Sequence, residues 1–455
     1  MRSALLFFLI LPFAAVAQQN DSLFIRRLAD DILVNGKAYE NLHTLTKGVG
    51  NRLSGSAGMY KAEQWGLKAL EAAGADKAWL QQCMVPHWER GGKDAATATY
   101  RENGKNVTRK LDVIALGNSV GTGTAQTAAV VQVNSFEELD AKKDAVKGKY
   151  VFFNYPFNET FIRTFQSYGD AVRYRGGAPS AAAKYGAKGV IVRSMSHSTD
   201  NIPHTGTTSY NDSFPKIPAV AIGLRDADWL SAQLKKQNVD VMLHTHGKML
   251  ADTIGHNVIG ELRGSEFPDQ YITIGGHLDS WDVGEGAHDD GSGIVQTIEI
   301  LRAFKALGYK PKHTIRFVLF ANEENGLRGG TKYAEEAQAK GEKHIFALES
   351  DAGGFTPRGF GFNVSDEQMK RVAAWKDLLC PYGACELVKG GGGADIGPLA
   401  RTQQTPVAGL NPDSQRYFDY HHARSDVFEN VNKRELNLGA VNMAALVYLV
   451  DKYGL

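Results

Sequence analysis

The chain has 455 residues, with 51 Lys plus Arg against 50 Asp plus Glu and a formal net charge of +1. At roughly 150 residues per domain, this length implies two to three domains. Near-neutrality argues against a nucleic-acid partner, which would need a basic domain or stripe; 43% hydrophobic and 22% charged residues exclude disorder, collagen and coiled coil.

At the N-terminus, Arg2 precedes an apolar run from Ala4 to Val16, and Ala15-Val16-Ala17 offers small residues where a signal peptidase reads. The run is too short to span a bilayer. Residues 1–17 therefore read as a cleavable leader, the mature chain starts near Gln18, and the protein is secreted or periplasmic. No later stretch reaches ~18 apolar residues, so no membrane insertion is expected.

From Asp21 to about Leu111 the pattern reads as helical around one Gly/Ser-rich connection, Leu45–Ala57 (LTKGVGNRLSGSA), followed by a helix over about Gly58–Ala73. From Asp112 to Lys248 the texture changes to short strands and turns, among them Ala128–Val133, Ala187–Val192 and Ile217–Ile222. His197, His204, His244 and His246 in this stretch read as surface or turn residues, and it carries no catalytic cluster. From about Gly255 strands and helices alternate. Gln270–Ile274, His313–Ala321 and His344–Leu348 read as strands; Gly293–Leu307, Gly329–Lys340 and Glu435–Tyr453 read as helices. Such alternation predicts an α/β fold, a central sheet with helices on both faces.

Export permits disulfides. Cys380 and Cys385 are close, with Pro381 and Gly383 between them to turn the chain, which predicts a local bridge; Cys83 is then a buried free thiol.

The chemistry gathers at strand ends. GGHLDSWD (275–282) leads into GAHDDGSG (286–293); NEENG (322–326) and ESDAGG (349–354) follow later apolar strands; HHARSD (421–426) comes last. Open α/β sheets bind ligands beyond the carboxyl ends of their strands, so all four segments can converge. Imidazoles and carboxylates in such numbers need a cation to be buried together. His with Asp/Glu suits zinc, and one shared carboxylate would hold two ions ~3.5–4 Å apart.

These four segments together resemble the secreted di-zinc aminopeptidases and glutamate carboxypeptidases; WDVGEGAHDDGSG and GADI (393–396) are most similar to the plasma glutamate carboxypeptidase branch. The resemblance covers the mature chain. It implies a mixed central sheet and a smaller, β-rich protease-associated (PA) domain inserted at 112–248 between catalytic parts at 18–111 and 249–455. Carried over residue by residue, His277, Asp289, Glu324, Asp351 and His422 match the ligands of two Zn2+ ions, with Asp289 shared. Glu323 matches the general base, and Asp279 the residue that orients His277. Either His421 or His422 fits the last ligand; the spacing to Asp426 selects His422. Asp290, Glu349 and Asp282 are alternates. Relatives carry Ser-Asp-His where this chain has Ala394-Asp395-Ile396, which leaves specificity open. The implied activity is hydrolysis of dipeptides or short peptides next to a free terminus, with a peptide as partner; the sequence leaves the assembly open, a homodimer among the options. The rivals are an inactive binding protein of the same architecture, a single-zinc glutaminyl cyclase without the insertion, and a di-metal phosphoesterase.

Overall fold

The computed structural model describes residues 10–455, with side chains from residue 19 onward. The expected leader and its cleavage point after Ala17 lie outside the residues described at that level.

The chain moves between two eight-stranded sheets. It enters the first with β1 (Lys77–Val85) and passes through the two-residue β2 (Trp88–Glu89). The second sheet then takes β3 (Ala95–Glu102), β4 (Lys105–Leu111), β5 (Val113–Ala115), β6 (Gln126–Val133), β7 (Tyr150–Phe153), β8 (Gly189–Arg193), β9 (Ala219–Ile222) and β10 (Asp240–His244). After β11 (Lys248–Met249), which pairs with β2, the first sheet resumes. Its remaining strands are β12 (Thr253–Leu262), β13 (Phe267–His277), β14 (His313–Phe320), β15 (Lys343–Glu349), β16 (Pro357–Asn363), β17 (Glu386–Lys389) and β18 (Val407–Pro412).

The first sheet is ordered β1-β12-β14-β13-β15-β18-β16-β17. Its centre, β14-β13-β15-β18, is parallel; β12 runs antiparallel to both β14 and β1, and β16 runs antiparallel to β18 and parallel to β17. Parallel strands are covered on both faces, which is why HTIRFVLF of β14 is buried along its whole length. Alternate residues serve opposite sides. Phe317 and Leu319 pack with the helices Ser292–Ala306 and Lys433–Tyr453; Val318 and Phe320 pack with Arg328–Ala339 and Gly397–Gln403. Each such side chain stabilises the fold by about 1.5–3 kcal/mol on burial. The N-terminal helix Ile10–Asn35 joins the first face through Ile25, Leu28, Ala29 and Ile32, spaced to share one side of a helix. Asp21 anchors it, accepting hydrogen bonds from the hydroxyls of Tyr448 and Tyr453, both at 2.6 Å.

The second sheet is ordered β4-β3-β10-β6-β7-β8-β9-β5, with β6 to β9 parallel. Val151, Phe153 and Val190 face the helix Thr164–Ala183, while Tyr150, Phe152 and Ile191 face Leu224–Leu234.

One stretch departs from the sequence reading. Residues 77–111, read as helical, are the strands β1 to β4. β1 is an edge strand whose partner β12 arrives more than 160 residues later, so its ladder is invisible to any local pattern.

Candidate metal centre

The adjacent parallel strands β14, β13 and β15 end at the same edge of the sheet. That edge carries His277 as the last residue of β13, Glu323 and Glu324 just past β14, and Asp351 just past β15. Asp289 comes from the turn before the helix Ser292–Ala306, and His421 and His422 follow the short helix Tyr417–Tyr420.

Asp289 stands in the middle. Its Oδ1 lies 3.2 Å from His277 Nε2, and its Oδ2 lies 3.3 Å from His422 Nε2. His277 Nε2 is also 3.4 Å from Asp351 Oδ1, and His422 Nε2 is 3.1 Å from Glu324 Oε2. Two donor sets therefore share one carboxylate: His277–Asp289–Asp351 and His422–Asp289–Glu324. His421 stacks on His422 with ring centroids 3.5 Å apart; its Nε2 is 3.7 Å from Asp289 Oδ2. Of the two, His422 is the one between both carboxylates.

Burial and mutual charge set the protonation states. Burial raises the Glu323 carboxyl well above the usual range; His277 opposes this, and Asp351 and Glu324 add to it. Glu324 is pushed up to about 7 by burial and by Asp289, against the pull of His422. Asp289 goes the other way, because His277 and His422 outweigh burial and hold it well below the usual range. Burial would lower both imidazoles. Asp351 and Asp289 instead hold His277 well above its ordinary value, and Glu324 and Asp289 take His422 to about 10. Two carboxylates about 4 Å apart repel by roughly 4 kcal/mol even at an effective dielectric of 20. A surplus of acid such as this suits a cation.

The supports are as specific as the donors. Asp279, carried over as the residue that orients His277, does so through its backbone: His277 Nδ1–H donates to the Asp279 carbonyl at 2.9 Å, while the carboxylate is 3.8 Å away. That carboxylate accepts the amides of Glu323 (3.0 Å) and Glu324 (3.3 Å) instead, so it fixes the turn bearing both glutamates. Asp290 accepts from the amides of His277 (3.1 Å) and Gly293 (2.9 Å). Asp282 is taken by a bidentate pair with Arg90 at 2.7 and 2.8 Å, and Glu349 accepts from the Ile396 amide at 2.9 Å. Cys380 and Cys385 are joined by a disulfide, and Cys83 is free and buried.

Several residues were not singled out from the sequence. Asp426, used there only as a spacing mark, accepts the amides of His288 (2.7 Å) and Asp289 (3.1 Å). His204 is buried rather than at the surface, with Nδ1 2.7 Å from the His421 carbonyl oxygen. Thr207 donates to the Glu324 carbonyl at 2.5 Å, and Arg175 lies 3.4 Å from His422 Nδ1. All three come from the stretch 112–248, so that stretch forms one wall of the site. Gly206, with φ of +125°, admits the approach: a Cβ there would sit 2.4 Å from the Arg175 guanidinium carbon and 2.6 Å from His422 Nδ1. The one legible signal was the run HTGTT (204–208), whose polar residues have no apolar face of their own.

Residues 257–447 match the model of Peptidase family M28. Carboxypeptidase Q from Mus musculus is 34% identical over 416 residues, 91% of this chain and 85% of the relative. Carboxypeptidase Q from Homo sapiens is 34% identical over 426 residues, covering 92% and 87%. Among solved structures, a peptidase M28 precursor from Shewanella amazonensis superposes with a TM-score of 0.88 at 32% identity, covering 95% of this chain and 97% of that one. A zinc aminopeptidase from Bacillus subtilis shares the fold, with a TM-score of 0.63 at 22% identity over 90% and 94% of the two chains. With that identity sustained over nearly the whole length, and with the candidate donors inside the matched segment, the chain belongs to peptidase family M28 and is a metallopeptidase.

Proposed function

We propose that this protein is a secreted zinc exopeptidase that hydrolyses dipeptides or short peptides next to a free terminus. The observation that carries the reading is the single carboxylate, Asp289, contacting an imidazole at each of its two oxygens, with one further carboxylate against each imidazole. The donors fit zinc by type and by number: nitrogen and oxygen atoms, three per set, with places left over. His277, Asp289 and Asp351 would hold one ion, and His422, Glu324 and Asp289 the other. Zinc supplies an acidified water and a polarised scissile carbonyl.

The chain's own residues do the rest. Glu323 pairs with neither imidazole, and its carboxyl is held well above the usual range mainly by burial. With both imidazoles engaged by other carboxylates, Glu323 is the one left free to take a proton from water and return it to the leaving amine. Asp279 keeps Glu323 and Glu324 in register through their amides, so one acts on the proton while its neighbour faces Asp289 and His422.

We further assign 112–248 to an inserted PA domain; β5 to β10 fall inside that span, and β3 and β4 join the same sheet from just before it. Export is supported by the leader-like N-terminus; among the described residues, no helix is long and apolar enough to cross a membrane. The test is zinc content together with a dipeptide library run against N-blocked and C-blocked peptides, with products identified by mass. Protein that takes up no zinc, or that leaves free dipeptides intact when loaded with zinc, would end the proposal.

A further inference from the structure

Arg52 sits in the Gly/Ser-rich connection ahead of the helix Ala57–Ala72 and is fully buried. No carboxylate shares its hydrogen bonds. Nε donates to the Leu278 carbonyl (2.5 Å), Nη1 to that of Glu285 (2.7 Å) and Nη2 to that of Gly286 (2.9 Å). Its own amide donates to Ser280 Oγ at 3.2 Å, and its carbonyl accepts from the Ser280 amide at 3.4 Å. Every one of these partners lies in the stretch 278–286, between His277 and Asp289.

A guanidinium buried without a paired acid is costly. The charges that oppose the effect of burial here are Asp426, Asp290, Asp279 and Asp289, all carboxylates of the metal centre or its supports. The charge of Arg52 is thus tolerated by the acid surplus it faces, while its N–H groups are spent on backbone. A lysine, with a compact ammonium, cannot spread over three carbonyls in this way.

We propose that Arg52 is a positioning residue of the metal centre: its guanidinium fork fixes the 278–286 loop and so sets the placement of His277 relative to Asp289 before any ion is bound. This rests on the zinc reading above. The experiment is zinc titration of the metal-stripped full chain against a chromogenic chelator, for Arg52→Lys and Arg52→Met. Arg302→Met, which removes ion pairs to Glu299 and Asp31 only, is the destabilised control. Both Arg52 variants are expected to bind zinc ~10–100-fold more weakly, the usual loss for a residue behind the ligands; turnover should recover at saturating zinc with KM unchanged, and the control should bind as the wild type does. Arg52→Lys with wild-type zinc affinity overturns the proposal, whereas a wild-type chain that binds no zinc overturns the zinc reading instead. A second measurement needs no variant: amides of 278–288 in the metal-stripped wild type should already exchange slowly. Fast exchange that slows only when zinc is added would mean that the ion, not Arg52, orders the loop.

Discussion

Replacing Asp426 by alanine removes an acceptor while leaving every candidate ligand in place. Its two carboxylate oxygens take the amides of His288 and Asp289 at 2.7 and 3.1 Å, and the residue is 3% exposed. In the alanine variant both amides remain buried without a partner, at roughly 1–3 kcal/mol each. The sum, about 2–6 kcal/mol, is a large part of the ~5–15 kcal/mol that separates folded from unfolded chains. Asp426→Asn keeps one carbonyl acceptor and is expected to lose about half as much. Because one freed amide belongs to Asp289, zinc affinity should fall with stability, by ~10–100-fold for alanine. Denaturant unfolding of the metal-free protein gives the first quantity and chelator competition the second. An alanine variant that unfolds at the wild-type midpoint and binds zinc as tightly would refute the claim that Asp426 holds the ligand turn.

The His421–His422 pair separates cleanly: His422→Ala is expected to lose one zinc and His421→Ala to keep both, by metal analysis of dialysed protein, because only His422 contacts both Asp289 and Glu324. Burial would raise the Glu342 carboxyl, but His344 and Arg316 hold it at about 2, against an ordinary 4.5. His344 is itself lowered by burial and so is uncharged at neutral pH, which leaves the bidentate Arg316 pair as the dominant partner. A carboxylate depressed in the folded state stabilises above its unfolded pKa and loses that contribution as pH falls through the folded one. Glu342→Gln should therefore lower the melting temperature at pH 7 and converge on wild type between about pH 4.5 and 2; a pH-independent deficit would count against this. Alkylation of denatured, unreduced protein should find one thiol, Cys83, and three thiols would remove the Cys380–Cys385 bridge.

The first sheet was legible because its central strands are covered on both faces, so FVLFA (317–321) and IFAL (345–348) stand as apolar runs that lead into carboxylates. β1 and β3 were not. Their burial alternates weakly, β3 is largely Ala and Thr, and β1 and one side of β3 close with chain far away in sequence; the Asn103-Gly104 turn joining β3 to β4 is the one local signal there. The donors could be picked out because each sits at a strand end beside other donors. The supports could not. Arg52 in a Gly/Ser-rich stretch looks like a solvated loop charge, and only the return of the 278–286 loop over it makes it a buried clamp. His204 reads as a surface residue for the same reason: the carbonyl its Nδ1 meets belongs to His421, more than 200 residues away.

The division of labour between the adjacent glutamates carries the functional account, and zinc stoichiometry measured alongside turnover in Glu323→Gln tests it most directly. Glu323→Gln is expected to keep the wild-type zinc content and melting temperature while turnover falls ~10²–10⁴-fold, the range for loss of a general base. Glu324, between His422 and the Trp281 amide, should on the same substitution weaken zinc binding, with activity partly restored by added zinc. A Glu323→Gln protein that loses zinc while Glu324→Gln retains it would reverse the assignment, and a Glu323→Gln protein with wild-type turnover would contradict the account.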